Sequence, residues 1–109
     1  MTSLPGIGAL RERVTLQLPV RTPDGAGGAA VSWTAGTPVW AKVEERGGGE
    51  RVEGERLAAK ARLRVTIRYR SGITTEMRVM RDGKALNILS LRDPDGRKRF
   101  LLLDCEERS

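Results

Sequence analysis

Arg62-Leu63-Arg64-Val65-Thr66-Ile67-Arg68-Tyr69-Arg70 decides the fold. Leu63, Val65, Ile67 and Tyr69 fall on one side of this run. Arg62, Arg64, Thr66, Arg68 and Arg70 fall on the other. Successive side chains of a strand point to opposite faces, so strict alternation predicts a half-buried strand with a cationic outer face. The same period continues on both sides. In Arg13–Leu18 it aligns Val14, Leu16 and Leu18, and Pro19 ends the run. Ala30–Thr34 pairs Val31 with Trp33. In Val39–Glu44, Val39, Ala41 and Val43 oppose Trp40, Lys42 and Glu44. Met77–Met80, Ala85–Leu91 and Lys98–Cys105 complete the set. In the last, Phe100, Leu102 and Asp104 oppose Leu101, Leu103 and Cys105.

The turns agree with this reading. Asp82-Gly83 between two runs is a strong hairpin signal. Asp93-Pro94-Asp95-Gly96 has turn chemistry, with Pro second and Gly fourth. Thr22–Gly28 reads as a longer flexible connection, and Thr37-Pro38 separates the second and third runs. The expectation is an all-β chain: one domain over 1–109, a small β-barrel or sandwich of about six to seven antiparallel strands. Two segments stand outside the pattern. Residues 1–9, with Pro5, Gly6 and Gly8, read as a flexible arm. Residues 44–60 read as one long inserted loop, broken by Gly47, Gly48 and Gly49 and rich in charge.

Composition narrows the chemistry. The 109 residues hold 20 Lys and Arg against 14 Asp and Glu, one cysteine and no histidine. A single Cys excludes an intrachain disulfide. Without His, zinc-finger ligand sets and Ser/His/Asp relays are excluded as well. Gly25–Gly28 lacks the Lys of a phosphate loop. Glu44/Glu45 and Glu106/Glu107 are sequence neighbours that a strand points apart, so they make no acid–base pair. Asp93 and Asp95 read as turn caps, and Cys105 as a buried, inert thiol. No enzyme, cofactor or metal is expected. No run of about 20 apolar residues, as a membrane helix needs, is present, and Met1–Leu10 has no basic segment leading into an apolar one. The expectation is a soluble protein of a reducing compartment with no membrane partner.

The surplus of six cations is spread along the chain, with no polybasic tail. The stripe Arg62, Arg64, Arg68, Arg70 has two readings: a face for phosphate or an acidic partner, or a solvated face with cross-strand acidic partners. Tyr69 and Trp33 lie on apolar faces and are expected in the core. Trp40 shares its face with Lys42 and Glu44, which places it in a second core layer or in an interface, where Trp is enriched. Trp40 and the four arginines are the candidate interface.

The order of these features resembles the phage head-tail joining family, the head closure or stopper proteins of tailed phages and gene transfer agents. The resemblance is carried by Leu10-Arg11-x-Arg13-Val14, Trp33, Val39–Glu44, the Gly/charged loop, Ile67–Arg70 with Ile73, Met77-Arg78, Asp82-Gly83-Lys84, Ile88, Asp93, Gly96-Arg97 and Leu101–Cys105. It spans Leu10 to Glu106. Many members have an aromatic two residues before the Ile of the Asp-Gly hairpin, and Leu86 stands there. The resemblance implies a small β-barrel that forms a ring, a dodecamer, below the portal and adaptor in the neck of a virion or phage-like particle. Assembly in the bacterial cytoplasm, head completion, closure of the channel over packaged double-stranded DNA, and docking of tail terminator or tail tube proteins are implied with it. It also implies that the long loop faces the channel, which would place Gly47, Gly48, Gly49, Glu50, Arg51, Glu53, Glu55 and Arg56 there. Two alternatives stand beside it: a tail terminator or tail-completion ring, and a small barrel that binds single-stranded nucleic acid through the Arg stripe.

Overall fold

The alternation at Arg62–Arg70 becomes a strand of a closed barrel, laddered on both sides and ending at Arg68. A computed structural model describes residues 10–46 and 61–107. The arm at 1–9 and residues 47–60, which hold every expected channel residue, lie outside the described residues. Eight strands are described: β1 (Glu12–Gln17), β2 (Pro19–Pro23), β3 (Ala29–Trp33), β4 (Thr37–Glu45), β5 (Arg62–Arg68), β6 (Arg78–Arg81), β7 (Lys84–Arg92) and β8 (Phe100–Glu107). Six close in the order β1-β4-β5-β8-β7-β6, every neighbouring pair antiparallel. β2 and β3 form a separate two-stranded ribbon.

Closure leaves the six barrel strands with no open edge. The seam between β1 and β6 is short, with registered pairs Thr15↔Met80, Leu16↔Val79 and Gln17↔Arg78. Side chains reinforce it. Arg78 Nε donates to Gln17 Oε1 at 2.7 Å, and the Arg81 guanidinium pairs with the Glu12 carboxylate. Inside lie Val14, Leu16, Ala41, Leu63, Val65, Ile67, Val79, Leu86, Ile88, Leu101, Leu103 and Cys105. Leu86, where an aromatic was the family pattern, is fully buried here. β7 carries a bulge between Ile88 and Ser90, which turns Leu89 outward and brings Leu91 back toward the core.

The turns behave as their chemistry dictates. Asp82 and Gly83 both have positive φ, 51° and 80°, between the paired Arg81 and Lys84. That is the two-residue hairpin geometry whose twist matches the strands. In the β7–β8 loop Asp93 accepts hydrogen bonds from the Gly96 and Lys98 amides, and Asp95 accepts one from the Arg97 amide. Both acids therefore cap backbone, as expected.

Four local expectations are corrected. The first run ends at Gln17, and Leu18 is exposed, because the chain bends into β2 instead of continuing the inward face. The stretch after Pro19 is a strand, not only a connection. Proline tolerates this because the ribbon has open edges, where its missing N–H leaves no ladder bond unmade. Trp33 is not in the core: it stands half-buried at the ribbon base, its ring 4.2 Å from the Arg78 guanidinium carbon. Thr66 is not solvated but 2% exposed, beside the buried outward residues Phe100 and Leu102.

Candidate functional site

β5 organises the surface. Its outward face carries Arg62, Arg64, Thr66 and Arg68, so Arg62 and Arg68 stand about 20 Å apart at about 3.3 Å per residue. The stripe divides into two different environments. At the first end, Arg62 pairs with Glu106 at 3.6 Å and Arg64 with Asp104 at 3.7 Å. These are cross-strand acids on β8, in register with their arginines. The cross-strand acidic partners of the second reading are present in this half. Arg46 and Arg92 join them around a polar hollow of about 440 Å3 that also touches Ser90. The Arg64 side chain is only 14% exposed, and its Nε has no hydrogen-bond partner. β4 enters this end through Glu44 and Glu45. The Arg46 amide donates to the Arg62 carbonyl, and the Glu107 amide to the Ala61 carbonyl. The chain on either side of residues 47–60 is thus tied to the barrel here.

At the other end the environment is apolar. Leu10, Val39, Trp40 and Tyr69 line an open hollow of about 580 Å3, with Arg68 and Arg70 at its side. Trp40 is 52% exposed. Arg13, its registered partner on β1, places its guanidinium carbon 4.6 Å from the ring centroid. This cation–π contact braces the exposed indole from β1. No acidic partner is found for Arg68 or Arg70 among the described residues. Three of the five candidate interface residues, Trp40, Arg68 and Arg70, therefore meet at one site. Arg62 and Arg64 do not join them.

The third feature is the ribbon, which the sequence reading did not single out. Residues 18–34 contain two charged residues, Arg21 and Asp24, in a chain that is 31% charged. Yet Leu18, Val20 and Val31 are all exposed. The dip in charge across an exposed segment was the available signal. Cys105, by contrast, carries no chemistry toward the surface: it is buried, and burial pushes its thiol from 9.0 to about 12. Among the described residues no group of His, Cys, Asp and Glu could hold a metal ion, and no helix could cross a membrane.

The described surface thus combines a small closed barrel with an apolar-cationic hollow, a polar arginine hollow and a ribbon poor in charge. Residues 6–108 match the phage head completion protein family, and the chain belongs to that family. It is similar to the head completion protein gp7 of Enterobacteria phage HK97, 33% identical over 87 residues, covering 75% of this chain and 78% of that one. Its fold is similar to a chain in the virion of a native gene transfer agent particle, with a TM-score of 0.75 and 27% identity, covering 91% of this chain and 96% of that one. It is also similar to protein SF1141 from Shigella flexneri 2a, with a TM-score of 0.68 and 30% identity, covering 96% and 98%. The chain is a head completion protein, a structural component of the virion.

Proposed function

We propose that this chain completes the head as a ring below the portal and adaptor, closes the channel over packaged double-stranded DNA and offers the surface on which the tail docks. It does so as a non-catalytic connector. The observation that carries the reading is the unlikeness of the two ends of β5 on one closed barrel. A ring uses a heterologous contact, so each subunit needs two different, complementary patches, with further surfaces for the layers above and below. The apolar hollow beside Trp40 is one such patch, and the paired-arginine end beside Arg62 is a surface for a neighbouring layer. The flanking residues Arg46 and Ala61 are bonded at the Arg62 end, and the channel role of Gly47–Gly49, Glu50, Arg51, Glu53, Glu55 and Arg56 belongs to the same reading. Mixed charges there can pair between neighbouring subunits. A reconstruction of the particle neck tests the proposal. A ring of this chain at the head–tail junction is expected, and its location elsewhere overturns it. Deleting Gly47–Glu55 is expected to give heads that lose their DNA, and fully infective particles would remove the channel role.

A further inference from the structure

The ribbon has no counterpart in the barrel and no role so far. Three features say that it is held in place. Leu18 and Thr34 clasp its base twice: the Leu18 amide donates to Thr34 Oγ1, and the Thr34 amide to the Leu18 carbonyl, both at 3.0 Å. Gly36 sets the bend at φ +94°, pressed so closely on Thr15 and the Leu16 carbonyl that no side chain fits. Trp33 braces the base against Arg78, which is itself bonded to Gln17. An isolated two-stranded ribbon is marginal in water. This one is nonetheless fixed at its root, carries a single charged side chain, Arg21, along its two strands, and is exposed on both faces.

Its chemistry finds a match on the same chain. The hollow of Leu10, Val39, Trp40 and Tyr69 is apolar, as the ribbon is, and is flanked by Arg68 and Arg70. The ribbon's one acid, Asp24, sits at its tip. Asp24 Oδ1 accepts the Ala26 and Gly28 amides at 2.8 and 3.1 Å, and neither of these bonds uses Oδ2. A chain's ribbon does not line its own hollow. A projecting arm and a seat on one chain, complementary in polarity and charge, are the two halves of a head-to-tail contact.

We propose that the β2–β3 ribbon is an assembly arm that seats in the Trp40 hollow of a second copy of this chain, its Asp24 tip against Arg68 and Arg70. The proposal rests on the ring reading and names the surfaces that make the ring. Each copy gives one arm and takes one, so the contact propagates until the rotation closes.

The test uses full-length chain in assembled particles, carrying Ala26→Cys at the ribbon tip and Ser71→Cys beside the seat. Both positions are exposed, and the native Cys105 is buried. A short bis-maleimide is expected to give a ladder of covalent multimers, while either single variant gives none. Adding Asp24→Asn, which keeps the turn acceptor and removes the charge, is expected to lower ladder yield at least fivefold. Arg68→Glu with Arg70→Glu is expected to do the same. Cross-linking that stops at dimers means a two-fold contact and overturns the proposal, as does the absence of multimers. Imaging the same particles separates the readings. A ring at the neck without a ladder removes only the arm, whereas no ring at the neck removes both.

Discussion

Gly36→Ala is the sharpest perturbation of this fold, because Gly72→Ala supplies its control. Both glycines have similar positive φ, +94° and +87°. An L-residue in that region costs about 1–2 kcal/mol at either site. The surroundings differ. A Cβ at Gly72 meets nothing within 4 Å, whereas at Gly36 it comes 2.4 Å from Thr15 Cγ2, 2.8 Å from the Leu16 carbonyl oxygen and 2.9 Å from Gln17 Cγ. The Leu16 oxygen is backbone of β1 and cannot step aside alone. Overpacking of this kind adds about 1–3 kcal/mol. The expected difference between the variants is therefore about 2 kcal/mol, against a total stability on the order of 5–15 kcal/mol. For a chain of this size that separates the two melting temperatures by about 8–16 °C. Thermal unfolding followed by far-UV circular dichroism reads it directly, with urea midpoints as a second measure. Equal losses for the two variants would refute the reasoning, since they would mean that the bend at Gly36 is free to relax.

Four further outcomes are expected. Leu103→Ala, at the centre of the core, should lose about 2–5 kcal/mol, read as a lower urea midpoint at unchanged slope. Cys105 should resist a thiol reagent at pH 8 in the folded chain and react at once in denaturant. Because its folded pKa is raised, the unfolded thiol ionises first, so stability should fall as pH climbs from 9.0 toward about 12. Asp95 is held below the usual aspartate range, first by the Arg97 amide and then by Arg99. Its contribution should be complete above the unfolded value and vanish as pH falls through the lower folded one, and Arg99→Ala should raise its titration in carboxylate NMR. Glu12→Gln loosens the β1–β6 seam. The pair is one-third exposed, so the loss should stay near 0.5–1 kcal/mol, with faster amide exchange at Thr15 and Gln17.

Much of the barrel was legible because its strands obey period two. Leu63, Val65 and Ile67 point inward as their spacing dictates, and Asp82-Gly83 turns where it must. Closure was not legible. β1 and β6 pair across more than sixty residues, and a short seam leaves no local trace. The ribbon was hidden by Pro19 and by the glycines at 25, 27 and 28, which read as breakers although the chain continues as strand on both sides. At the site, Trp40 declared itself by sharing a face with Lys42 and Glu44. What alternation could not say was which arginines of one stripe have acids opposite them. That depends on β8 lying in register beside β5, which places Glu106 by Arg62 and Asp104 by Arg64 but sets Phe100 opposite Arg68.

The position of β5 also has a mechanical consequence. It lies between β4 and β8, laddered to both, and its two ends reach the two unlike surfaces. A pull applied between those surfaces runs along the strand axis. It loads the hydrogen bonds of both ladders side by side, in shear, instead of peeling them one after another. The closed circumference spreads that load around all six strands, so the barrel resists as a hoop resists.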